Sequence, residues 1–217
     1  MSTSSMILAA LAIFTILVSR FGTRGHWFHF RVGLALFALG ALLGAAALIT
    51  GVLAWRHGST GGAIAAVLGA LILLGPASAI LTAIGKPMIH DVTTDLDDPP
   101  RFEAITVPPY DFGDAAKQRA AYLDLQPRIV PTAPPDTFAR ARTAAESHGW
   151  QIISARPETG TVEATATTGW FGFKDDILIR LRPVPEGTRI DLRSRSRVGK
   201  SDLGVNAKRI REYLKTF

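Results

Sequence analysis

The first ninety positions hold no aspartate or glutamate; Asp91 is the first acidic residue. Three long apolar runs lie in the same stretch, separated by short basic loops. A helix on the surface of a soluble protein needs a polar face to meet water, and these runs have none. The chain must therefore begin as a membrane anchor, and its acidic remainder must form a water-exposed part.

Residues 32–55 and 61–84 each run for 24 positions without a charge. At 1.5 Å per residue such a helix extends about 36 Å, enough to cross a bilayer with some tilt. The first run, 6–18, is shorter and reaches 3–19 with its polar start. It lacks the basic n-region of a cleaved signal, and Arg20 follows it directly, so an uncleaved first helix is expected. The predicted organisation is a transmembrane domain over 1–86, with helices at about 3–19, 32–55 and 61–84. A Pro/Asp-rich linker over 87–134 and a soluble domain over 135–217 follow.

The net charge of +6 invites a nucleic-acid reading until it is divided. Five basic residues (Arg20, Arg24, Arg31, Arg56 and Lys86) and no acid precede Asp91, leaving only +1 for the rest. The excess thus marks membrane flanks, where Lys and Arg set topology. The chain contains no cysteine, which excludes disulfides, thiolate metal sites, cysteine nucleophiles and a lipidated lipobox.

Within the second run, Gly33, Gly40, Gly44 and Gly51 recur near helical spacing, with Gly40 and Gly44 as a GxxxG pair. Such a face serves either packing of the three helices against one another or a homo-oligomer through Gly40 and Gly44. Gly75-Pro76 predicts a bend in the third helix. No charged residue falls within a span, which argues against a transporter or proton relay.

Prolines at 87, 99, 100, 108, 109, 131, 134 and 135 favour an extended course through the linker, with a short helix near 114–122. The acids around His90, Asp91, Asp95, Asp97 and Asp98 lack the alternation and glycine turn of a calcium loop, and no metal is expected there. Asp136 is a candidate cap for a helix carrying Phe138, Ala141 and Ala145. Strand-like runs follow at 150–155, 161–168, 176–182 and 188–197. A last helix over about 202–217 offers Leu203, Ile210, Leu214 and Phe217 for packing. The fold class is an α-helical membrane anchor of three transmembrane helices plus an α+β two-layer domain, with an antiparallel sheet of about four strands and two helices.

Two stretches concentrate the polar chemistry. Val198-Gly199-Lys200-Ser201 has part of a phosphate-loop pattern, but Ser194 stands where that loop requires glycine, so nucleotide binding is excluded. Arg195, Arg197, Lys200, Ser201, Asp202 and Asn206 remain a candidate anion or partner site. The competing reading has Ser201 or Asp202 capping the last helix, and Arg193, Arg195 or Arg197 paired with Asp175 or Asp176. Trp170, Phe171, Phe173, Asp175 and Asp176 form a second candidate, for structural or partner contact. Residues 180–217 carry 11 basic and 4 acidic residues, against 8 and 14 over 91–179. Such opposed charge points first to internal pairing, then to a membrane surface, with nucleic acid last. His148 has no partnered nucleophile in the sequence, so no catalytic residue is assigned. No cofactor is expected.

At Trp170-Phe171-Gly172-Phe173-Lys174-Asp175-Asp176, and at Arg193 through Asn206, the chain resembles the bacterial and plastid family known as domain of unknown function 1499. His90-Asp91-Val92-Thr93-Thr94-Asp95 with Pro99-Pro100-Arg101-Phe102 resembles its longer, three-helix proteobacterial form. The resemblance supplies no activity. Cysteines of the shorter relatives are missing here, so no disulfide role carries over. Some of those relatives look like lipoproteins or lumenal proteins, which implies an extracytoplasmic domain. Arg20, Arg24 and Arg31 in loop one, against Arg56 alone in loop two, instead place that domain in the cytoplasm by the positive-inside rule. The reading adopted is a multi-pass inner-membrane protein with a periplasmic domain. Its expected function is non-enzymatic: binding an envelope protein partner or a lipid headgroup. The alternative is an enzyme acting on a membrane-associated or anionic substrate at the face of Asp175, Asp176, Arg197, Lys200 and Ser201.

Overall fold

The computed structural model describes residues 2–217 and divides into two compact units. The first comprises the N-terminal residues through Ile84 together with Gly169–Gly172; the second comprises Gly85–Thr168 and Phe173–Phe217.

Three helices build the first unit: α1 (Ser2–Arg24), α2 (Phe30–Arg56) and α3 (Thr60–Ala83). Each is long and apolar enough to cross a membrane. Their packing inverts that of a soluble bundle. Ala9, Ala12, Ala47, Ala54 and Ala65 are buried between them, whereas Phe14, Leu42 and Leu81 face outward. In lipid, association gains from close backbone approach rather than from burying large apolar groups, so small residues take the interior. A Cβ at Gly51 would lie 2.6 Å from the Ala66 nitrogen, and one at Gly44 2.7 Å from the Ile72 side chain. A Cβ at Gly40 would meet Ile16 at 2.5 Å. Gly40 thus packs against α1 and Gly44 against α3 within the chain. The Ser19 hydroxyl donates to the Gly33 carbonyl at 2.7 Å, joining α1 to α2. Helix α3 runs on through Pro76. Gly169–Gly172 packs within this unit: the Arg20 guanidinium lies 4.7 Å from the Trp170 ring, and Arg24 donates to the Gly169 carbonyl at 3.0 Å.

The second unit is an antiparallel sheet with helices on one face. In chain order it holds β1 (Asp91–Thr93), α4 (Ala115–Ala121), β2 (Arg128–Val130), α5 (Pro134–Ser147), β3 (Gln151–Arg156), β4 (Thr161–Thr167), β5 (Lys174–Val184), β6 (Gly187–Ser196) and α6 (Val205–Leu214). The strand order is β1-β6-β5-β4-β3, with β2 also on β6. Both short strands share one edge of β6, β1 against residues 193–195 and β2 against 188–190. The sheet thus has six strands rather than four. The added two are three residues each, too short to carry a readable alternation, and they lie in the stretch expected to be a linker. That stretch is an integral part of the domain.

Alternation along the long strands sorts the two faces. Val162, Ala164 and Ala166 of β4, Ile177, Ile179 and Leu181 of β5, and Ile190 and Leu192 of β6 point toward the helices. There they meet Phe138, Ala141 and Ala145 of α5 and Ala207, Ile210 and Tyr213 of α6. Each fully buried valine, leucine or isoleucine among them contributes about 1.5–3 kcal/mol. Trp150 stacks on Tyr213 at 5.0 Å, and the Tyr213 hydroxyl donates to the Ala141 carbonyl at 2.8 Å, tying α6 to α5. Helix α5 opens with Ala133 as its cap and proline in its first turn, so Asp136 lies inside that turn instead of capping it. At the β5–β6 hairpin, Gly187 adopts φ +130° where a side chain would collide with the Val130 carbonyl.

Candidate functional site

The second face of the sheet carries Glu163, Thr165, Asp176, Arg180, Arg182, Arg189, Asp191, Arg193 and Arg195, joined at the edge by Asp91. Alternation suggests that this polar face meets water. Instead, residues 94–112 cross it as a strap, and Glu163, Asp191 and Arg193 are buried. Burial of so many charges is tolerable only if each is paired and hydrogen-bonded. They are.

Glu163 accepts three successive strap amides, Glu103, Ala104 and Ile105, at 2.8, 2.9 and 2.8 Å. Asp191 is held by Arg180 at 3.1 Å, Arg182 at 2.8 Å and Arg189 at 2.8 Å. The same three arginines reach Asp95 of the strap at 3.1, 2.9 and 2.6 Å. Burial would raise the Asp95 carboxyl; the Asp98 amide and the arginines Arg189, Arg182 and Arg180 outweigh it and hold the group below the usual range. Arg193 grips Asp91 at two points, donates to the Pro100 carbonyl at 3.0 Å, and lies between the Phe102 and Tyr110 rings at 5.4 and 5.3 Å. Burial, with Asp91 and Asp114 nearby, raises the Tyr110 hydroxyl well above its ordinary value.

One part of the face is open. A cleft of about 500 Å³ has Arg195, Arg197 and Asp176 as its floor and Ile105, Thr106, Val107 and Pro108 as its wall. Arg197 donates to both Asp176 oxygens, at 3.1 and 2.9 Å from Nε, and these bonds raise its own pKa. Thr165 steadies the pair, donating to Asp176 at 3.0 Å and accepting from Arg197 at 3.2 Å. Arg195 differs. Its Nε is 3.4 Å from an Asp91 oxygen that Arg193 already holds at 2.7 Å. Among the described residues no hydrogen bond reaches the Arg195 guanidinium. Three arginines (193, 195 and 197) thus share two carboxylates here, and the cleft retains one positive charge.

The structure divides the residues singled out from sequence. Asp175 and Asp176 are neighbours on β5 and so point to opposite faces: Asp175 pairs with Arg209 of α6 at 2.5 Å, Asp176 with Arg197. They do not share one face with Lys200 and Ser201. Asp202 accepts the Gly204 and Asn206 amides at 2.8 and 2.9 Å, organising the entry to α6; burial raises its carboxyl despite these two bonds. Asn206 is buried and bonded to Ser194, Ser196 and the His90 carbonyl. Ser201 accepts the Leu203 amide at 3.2 Å, and Lys200 is exposed in the same turn. Trp170 and Phe171 pack edge-on to Phe37, at 6.2 and 5.5 Å, within the helical unit. Phe173 and Thr168 close the β4–β5 hairpin through bonds of 2.8 and 2.9 Å. His148 caps α5 and stacks on Trp150 at 5.4 Å. Of the expected ligand set, then, only Arg195 and Arg197 line the cleft. The strap wall and Glu163 are not legible in the sequence, since three consecutive amides converging on a carboxylate leave no side-chain pattern to read.

These features define a membrane-inserted protein with an α+β domain whose sheet is apolar toward its helices and ion-paired beneath a strap. The chain belongs to the family described as protein of unknown function (DUF1499), whose model matches residues 91–217. That match begins at the first residue of β1, in agreement with the strap and short strands being part of the fold. No curated protein and no solved structure matches the chain.

Proposed function

We propose that this is a non-enzymatic binding protein of the bacterial inner membrane, whose α+β domain takes up an anionic group of an envelope protein or of a lipid headgroup. The observation that carries the reading is the Arg195 guanidinium. It lines a cleft of about 500 Å³ with a long ion-pair contact to Asp91 at 3.4 Å and, among the described residues, no hydrogen bond, on a sheet face where the surrounding charges are matched. An anion there gains two charge-assisted bonds from a donor already held in place by the strand. An enzyme using Asp176 as its base at this face would need that carboxylate free, and Arg197 holds it.

The periplasmic side is part of the proposal, and a fusion after Phe217 tests it. Alkaline phosphatase should be active there and a fluorescent protein dark; the reverse pattern places the domain in the cytoplasm. Binding is tested by extracting the full chain from native membranes in mild detergent and weighing the intact complex. Wild type should retain an anionic species that Arg195→Gln loses. Equal retention by both chains would dismiss the site.

A further inference from the structure

The cleft over Arg195 has a neighbour. A second pocket, of about 410 Å³, is lined by Phe102, Val107, Pro108, Tyr110 and Phe112, with Arg101 among its lining residues. Val107 and Pro108 line both cavities, so the two abut across one ridge of the strap. Their chemistry differs. The first has an arginine floor with one unbalanced charge. The second is walled mainly by aromatic and proline side chains; of its two arginines, Arg193 is saturated by Asp91 and two carbonyls, and Arg101 is exposed. Phe112 is 62% exposed there, unusual for a large aromatic in a polar strap, and packs edge-on to Tyr110 at 5.4 Å.

We infer that the paired cavities receive one anionic amphiphile: its phosphate on Arg195 and Arg197, its apolar portion over the ridge against Phe102, Tyr110 and Phe112. The inference rests on the anion site proposed above and names its ligand class as a lipid-type phosphate. A free phosphate would satisfy the arginine floor but leave the aromatic pocket unused. An uncharged lipid would fill that pocket and leave Arg195 with only its long contact to the Asp91 it shares with Arg193. Only a molecule with both parts answers both cavities, and a chain with three helices apolar enough to enter a bilayer lives among such molecules. Each cavity is of the size that holds a small ligand.

The test titrates the full chain in phosphatidylcholine nanodiscs with three probes: dihexanoyl phosphatidic acid, dihexanoyl glycerol and inorganic phosphate, each corrected against empty discs. The phosphatidic acid should bind saturably, one per chain, and about tenfold or more tighter than either other probe, since apolar burial and charge-assisted bonds act together. Arg195→Gln should weaken it by about tenfold or more. Phe112→Ser, at an exposed position that leaves the fold intact, should bring its affinity down to that of inorganic phosphate. If inorganic phosphate binds as tightly as the lipid and Phe112→Ser changes nothing, the amphiphile inference falls while the anion site stands. If Arg195→Gln binds the lipid like wild type, the anion site falls with it. Absence of saturable binding by all three probes overturns both.

Discussion

Arg193 and Asp91 form a two-point ion pair, Nε to Oδ1 at 3.0 Å and a terminal nitrogen to Oδ2 at 2.7 Å, with both side chains at most 5% exposed. The pair stitches the first strand after the membrane helices to β6, 102 positions further along the chain. Removing one member leaves a buried charge without its partner, so Arg193→Gln should cost about 3–5 kcal/mol. Arg193→Lys should not restore the loss, because an ammonium cannot make the fork or lie flat between Phe102 and Tyr110. Unfolding of the full chain in detergent, followed by near-UV circular dichroism, measures both. Wild-type stability in either variant would refute a structural role for the pair.

Glu163 anchors the strap through three backbone amides, and Arg156 bridges it to the Glu103 carboxylate. Glu163→Ala should therefore speed hydrogen exchange at Glu103, Ala104 and Ile105 while the amides of α5 and α6 stay protected. Exchange that rises uniformly across the domain would mean that Glu163 supports the whole fold and not the strap.

Asp95 supplies a pH dependence with a defined sign. Its folded pKa is lowered beneath the ordinary 3.8, so it stabilises the folded chain above that value. The contribution is lost as pH falls through the depressed folded value. Asp95→Asn should thus melt earlier than wild type at neutral pH, with the gap narrowing below about pH 4. A gap that is constant down to the acid limit would show that charge at Asp95 is not what stabilises the strap.

In the anchor, Gly51 and Gly62 let α2 and α3 approach at backbone distance; a Cβ on Gly62 would lie 2.7 Å from the Trp55 nitrogen. Gly51→Leu should separate the helices and lower the thermal midpoint of the detergent-solubilised chain, whereas Leu42→Ala, on the outward surface, should leave it nearly unchanged. Equal effects of the two would place the wrong residues in the helix interface.

The three spans and the four long strands were legible because each repeats a simple pattern over many residues: unbroken apolarity from 32 to 55, and alternation such as Ile177, Ile179, Leu181. The helix entry at Asp202 and the pairing of Arg197 with Asp176 were also within reach of local rules. Hidden from them was everything that depends on residues distant in the chain. Asp91 finds Arg193 across 102 positions and Asp95 finds Arg180 across 85, and a proline-rich stretch that looks extended is extended, but over the sheet rather than through solvent. Strand alternation reports that two faces differ, not that the polar one is uncovered. For the same reason the sequence could nominate Arg195 and Arg197 together but could not distinguish Arg197, hydrogen-bonded to Asp176, from Arg195, whose contact with Asp91 is long.

That distinction separates Arg195 from the other arginines of the face, and one variant isolates it. In Arg195→Gln the surrounding pairs, Arg193 with Asp91 and Arg197 with Asp176, remain complete. Intact-complex mass measurement of this variant, purified from native membranes at a confirmed wild-type melting midpoint, should show the chain stripped of the anionic species that wild type carries. The same species retained at the same occupancy would mean that Arg195 is not a binding residue, and the proposed function would fail with it.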